Sequence, residues 1–117
     1  MIRMTSMYPI TPDGFFDHEY YATVHLKMNL DLCRPFGLKR VQVWTGVSTP
    51  DFEELKRGIA PTAPPKFVYI GLYDFETLDG YVQAVATHGE ELAADIPAYT
   101  NITPIFQVNE LVTDESQ

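Results

Sequence analysis

A tyrosine and a histidine four residues apart, Tyr21-Ala-Thr-Val-His25, lie inside the stretch FFDHEYYATVHLKMNL at positions 15 to 30. An imidazole changes charge near neutral pH, so one held beside a ligand can take or give a proton. A phenol hydroxyl nearby can donate to a carbonyl oxygen as negative charge develops on it. A plainer role fits the same residues. At about 100° per residue, Tyr21, Val24, Met28 and Leu32 share one helical face, and His25 falls at its edge. One hydrogen bond would satisfy a ring in that place. The pattern alone leaves both readings open.

The other candidates are weighed in the same way. His88 stands beside Gly89. At a helix break it could bind an anion or carry a proton, or His-Gly could simply make the break. His18 falls in a first helical turn, facing solvent. The three histidines form no metal motif such as HExxH, so no metal is expected. No glycine-rich phosphate loop is present, which argues against flavin, nicotinamide or any other cofactor. Tyr69, Tyr73 and Tyr99 suit a core or an interface, and equally an aromatic ligand.

These side chains must be positioned by a small body. The chain has 117 residues, which is one domain, here taken as 1–112 with a frayed tail at 113–117. Hydrophobic residues make up 45% and charged residues 21%, which places it among globular rather than disordered chains. The net charge is −8 and the eight basic residues are scattered, so nucleic acid is not a partner. Cys33 is the only cysteine and can make no internal disulfide; it reads as structural. No apolar run approaches the roughly 20 residues of a membrane span. The opening MIRMTSMYP has no signal-peptide core, so the cytoplasm is the expected compartment.

Strand and helix signals alternate. Residues 2–8 read as a strand, followed by the turn chemistry of PITPDG. Asp17 caps a helix that runs to about Cys33, with Phe16 and Tyr21 as a hydrophobic staple, and Gly37 supplies the exit. Residues 38–45 form a second strand. Thr49 and Pro50 start a short helix in the long connection that follows. Residues 66–75, KFVYIGLYDF, are the clearest strand. Thr77 opens a second long helix. The run Thr87-His88-Gly89-Glu90 has capping-box form, so this helix is expected to break near His88, restart, and end at Ile96-Pro97. Residues 102–112 are the last strand.

The order is βαββαβ, the α+β, ferredoxin-like arrangement of four antiparallel strands with two helices on one face. In the third strand Val68, Ile70 and Leu72 point one way, and Phe67, Tyr69, Tyr73 and Phe75 the other, around Gly71. In the second, Val41 and Val43 oppose Arg40, Gln42 and Trp44. Helices cover only one face. An uncovered face bearing so many aromatics would be an interface, which points to a homodimer through the sheet faces, with Trp44 in the contact.

Four stretches carry a family resemblance: DHEYYATVH, GLKRVQVWTG, FVYIGLYDFETLDGYVQAV and THGEELAADIPAYTNITPIFQVNEL. Together they resemble the EthD-like family of dimeric α/β barrels over nearly the whole chain. The most specific pieces are Tyr21-x-x-x-His25 and the segment from His88-Gly89 to Asp95-Ile96-Pro97-x-Tyr99-Thr100. The resemblance implies a dimeric barrel with a ligand cavity between sheet and helices. It points to His25 as the group that moves a proton, with Tyr21, Met28, Tyr69, Tyr73, His88 and Tyr99 around a small apolar or aromatic ligand. Two functions follow from it. One is a cofactor-free acid–base enzyme acting on a polyketide-like carbonyl compound. The other is a ligand-binding or accessory homodimer in which His25 only holds a hydrogen bond. The residue pattern assigns no carboxylate to orient His25.

Overall fold

The structure, a computed structural model, describes residues 1–116. Four strands build one antiparallel sheet: β1 (Ile2–Pro9), β2 (Leu38–Thr45), β3 (Phe67–Phe75) and β4 (Ile105–Glu110), in the order β2-β3-β1-β4. This is the ferredoxin-like order expected from the sequence. The first long helix has three parts: α1 (His18–Tyr20), a π-helical turn (Tyr21–His25) and α2 (Leu26–Cys33). The Asp17 carboxylate accepts from the Tyr20 amide and caps it. Gly37, at φ 96°, turns the chain into β2. The second long helix, α4 (Leu78–Asp95), is capped by Thr77, whose hydroxyl accepts from the Gly80 amide at 3.0 Å.

Three local details depart from the sequence reading. The short helix α3 (Phe52–Lys56) starts two residues late, because Asp51 and not Thr49 caps it. Thr49 instead bridges Ala63 through its backbone, and its hydroxyl donates to the Pro64 carbonyl. The last strand is shorter than 102–112. Finally, α4 does not break at His88. Thr87 turns its hydroxyl back onto the Gln83 carbonyl at 2.8 Å, so no capping box forms. Gly89 costs the helix only about 1 kcal/mol, less than packing of Ala84 and Leu92 against the core returns.

Cross-strand partners share a face, so the register sorts the side chains. Ser6 pairs with Gly71, Met4 with Tyr73 and Tyr8 with Tyr69. All of these lie under the helices. So do Val43 and Phe106, the partners of Gly71 and Ser6. The helices therefore cover the aromatic face of β3 rather than leaving it open. The reason is Gly71. A Cβ there would stand 2.8 Å from the Tyr21 hydroxyl and 2.9 Å from the Tyr73 ring, so only glycine lets the first helix dock this closely. The open face carries half-buried Met7, Val68, Ile70 and Leu72, the exposed Trp44, and the Arg3–Asp74 pair with contacts of 2.7 and 2.9 Å.

The chain is extended for its length. Its radius of gyration is 16.2 Å, against about 13 Å for a compact chain of this size. Val47 and Phe52 in the β2–β3 connection are 83% and 71% exposed. Among the described residues, no helix is long and apolar enough to cross a membrane.

Replacing Gly71 with Ala is expected to destabilise the fold by about 1–3 kcal/mol, the usual cost of overpacking. Urea unfolding followed by far-UV circular dichroism measures it. An unchanged midpoint would show that the helix does not rest on this position.

Candidate active site

The register puts a cavity of about 410 Å³ between the helices and the sheet. That is within the usual range for small-molecule sites. Ser6, Tyr8 and Tyr73 floor one end, beside His25 and Asn29 from the first helix. Phe75, Ala84 and Leu92 close the other end largely with carbon, with the Tyr81 phenol beside them. Val85 and Glu90 of α4 and Phe106 of β4 are exposed as well as lining, and so mark the mouth.

His25 faces this space because of the π turn. A π turn holds more residues than an α turn, and its backward offset cancels the forward drift of the α turns that follow. The buried row is therefore Tyr21, His25, Asn29 and Cys33. The face expected from an ideal α period (Tyr21, Val24, Met28, Leu32) is not the buried one, and Val24 is 47% exposed. His25 moves from the edge of the buried stripe to its middle.

The imidazole is fixed on three sides. Its ring lies parallel to that of Tyr21, with centroids 5.7 Å apart, and leans on Tyr99 at 4.7 Å. Its Nδ1 is 2.8 Å from Oδ2 of Asp95, the last residue of α4. Oδ1 of the same carboxylate accepts from the Tyr20 hydroxyl at 2.7 Å. Partial burial pushes the Asp95 carboxyl up, but the hydrogen bonds from Tyr20 and His25 outweigh it and hold the group below the ordinary carboxylate range. An ionised Asp95 accepts only, so Nδ1 carries the proton. The neutral ring then leaves a lone pair on Nε2. No buried side-chain nitrogen or oxygen lacks a partner among the described residues. Nε2 has no protein partner, so it must reach open space, and the cavity is the space that His25 lines.

The oxygens opposite are phenols. The Tyr8 and Tyr99 hydroxyls are 2.5 Å apart, and those of Tyr21 and Tyr73 are 3.2 Å apart. Burial raises the pKa of all four, so each remains a neutral donor at physiological pH. A lone pair on one wall and O–H donors on the floor can remove a proton beside a carbonyl and stabilise the oxygen that gains charge.

The structure brings His25 and Tyr73 into the lining, with Tyr21 and Tyr99 packed behind His25. Tyr69 belongs to the same aromatic cluster, but its hydroxyl meets His18 Nδ1 at 2.8 Å, outside the lining. Met28 is half-buried away from the cavity. His88 is half-buried on α4, its Nδ1 2.5 Å from Glu91 Oε1 and its ring against Phe36, and it does not line the cavity. Sequence reasoning missed Asp95, Ser6, Tyr8 and Asn29. Asp95 did carry a signal: a carboxylate in the last turn of a helix opposes the macrodipole and needs a compensating partner. Asn29 Nδ2 donates to the His25 carbonyl at 3.1 Å, steadying the backbone of the π turn. Among the described residues, no three His, Cys, Asp or Glu side chains converge to hold a metal.

The chain was compared with known proteins. No family model matches it, and no curated protein does either. Solved structures do. An EthD-like protein from Ralstonia eutropha JMP134 shares 30% identity over 98% of this chain and 95% of its own, with a TM-score of 0.83. An EthD family protein from Bacillus halodurans C-125 shares 18% identity over 96% and 99% of the two chains, with a TM-score of 0.66. A protein from Arabidopsis thaliana has the same TM-score, 0.66, at 10% identity, over 99% and 100%. The last two share the fold.

Because the Asp95 pKa is depressed in the folded state, its stabilising effect is present above the ordinary carboxylate range and is lost as pH falls through the folded value. Asp95→Asn is therefore expected to be less stable than wild type by about 1–3 kcal/mol at pH 7. The gap should close below about pH 4. Denaturant melts of both proteins from pH 3 to 7 check this. A gap that is constant with pH would remove the charged pair from the account.

Proposed function

This chain belongs to the EthD-like family, and on that footing we propose that it is an acid–base enzyme acting on a small apolar or aromatic carbonyl compound of polyketide type. The reading rests chiefly on one observation: His25 lines an apolar cavity with Nδ1 held by Asp95 and Nε2 without a protein partner. In the reaction, Nε2 takes a proton from the carbon next to the carbonyl. The C–H electron pair becomes the enolate double bond, and the carbonyl pair moves onto oxygen. Tyr73, Tyr8 or Ser6 donates a hydrogen bond to that oxygen. Asp95 stabilises the imidazolium, which then returns the proton to carbon or to a departing hydroxyl. Isomerisation, cyclisation and dehydration all share this first step.

The working unit in this proposal is a homodimer joined through the open sheet faces. Half-buried Ile70, Leu72, Val68 and Met7 on that face support it, as do exposed Trp44 and the apolar side chains of the β2–β3 connection. Sedimentation at micromolar concentration is expected to give twice the 13.3 kDa chain mass. A clean monomer would remove the barrel.

Proton transfer can be followed without knowing the natural substrate. In D₂O, wild-type protein is expected to speed deuterium entry beside the carbonyl of aromatic ketones such as 2-tetralone, read by NMR. His25→Gln keeps a similar size and a donor but cannot titrate near neutral pH. It should fold and bind, with exchange slower by roughly 10²- to 10⁴-fold. Exchange at the wild-type rate in that variant would exclude His25 as the proton carrier and leave the accessory-protein reading.

A further inference from the structure

Resting on that reading of the cavity, we infer that the site excludes anionic ligands in favour of neutral ones, and that Glu90 at its mouth enforces this. None of the lining residues is Lys or Arg. Two carboxylates bear on the site. Glu90 is exposed at the mouth on α4, and Asp95 stands behind the imidazole and stays ionised. The floor offers neutral hydroxyls, because burial keeps Tyr8 and Tyr73 protonated. Protonated His25 adds no net positive charge to the site, because its charge is matched by Asp95 at 2.8 Å. A carboxylate, phosphate or thioester nucleotide entering past Glu90 would meet like charge and lose its water, with no cation to replace it. A ketone, phenol, ester or quinone meets O–H donors for its oxygen and carbon for the rest. Selectivity here comes from a repulsive element as much as from attractive contacts. The net charge of the chain, −8, acts in the same direction at long range.

Methyl 2-naphthoate and 2-naphthoate share a ring system and a carbonyl and differ in charge, so titration calorimetry with the pair at pH 7.5 and low salt isolates the effect. The ester is expected to bind at least about tenfold more tightly, a difference of about 1.4 kcal/mol. Glu90→Lys should narrow the gap by strengthening the acid. Glu90 is a solvent-exposed helix residue, so the fold should survive. Ala84→Phe, which fills the buried apolar end, should weaken the ester and locate it in the cavity. Equal affinity for ester and acid, with Ala84→Phe still weakening both, would overturn charge exclusion and leave the cavity as a ligand site. Binding of neither compound, or binding indifferent to Ala84→Phe, would overturn the cavity reading along with the exclusion.

Discussion

Burying a phenol oxygen costs free energy unless it finds a hydrogen-bond partner. This chain buries four of them between sheet and helix: Tyr8, Tyr21, Tyr73 and Tyr99. They satisfy one another in two pairs, and each pair joins elements that are distant in sequence. Tyr8 on β1 meets Tyr99, just beyond α4, and Tyr21 on the first helix meets Tyr73 on β3. The pairing fixes how the first helix lies on the sheet, and Gly71 gives it the room to lie there. Everything proposed for His25 depends on that placement.

The same arrangement accounts for the cavity. Side chains crowd the end where the four hydroxyls meet, while α4 presents Ala84, Gly89 and Ala93 toward the space beyond. A helix that faces a core with residues this small leaves volume unfilled. Unfilled volume forfeits dispersion contacts and costs stability, so a fold selected for stability alone would close it. Ser6, Tyr8, Asn29 and Tyr73 are gathered beside His25, and the buried remainder of the lining is largely carbon. Such polarisation orients a ligand that has a single oxygen-bearing end.

Asp95 joins the two helices through chemistry as well as packing. It holds the end of α1 through Tyr20 and sets the proton on His25. A carboxylate there opposes the α4 dipole, so its two hydrogen bonds offset a local cost. A group placed against its local preference and stabilised only by distant partners is expected where function, rather than local propensity, fixes the residue. The π turn at Tyr21–His25 is a second case, since it departs from the regular helix at the residues that carry the proposed chemistry.

The sequence by itself determined the four strands, the two long helices and their order, because alternation, caps and turn residues are local signals. Asp17, Thr77 and Gly37 act where their chemistry says they should. It also marked His25 as a residue that can do chemistry and Tyr73 as one that can meet a ligand. Tertiary structure alone decided the rest. Which face of β3 the helices cover depended on how close two elements can approach at Gly71. Whether α4 broke at His88 depended on packing that outweighs a weak capping signal. The buried row of the first helix shifted because a single π turn changes the period, and periodicity arguments assume a constant one. Asp95 reached His25 across 70 residues of chain. No local pattern encodes that distance, because it exists only once two helices have packed on the same sheet.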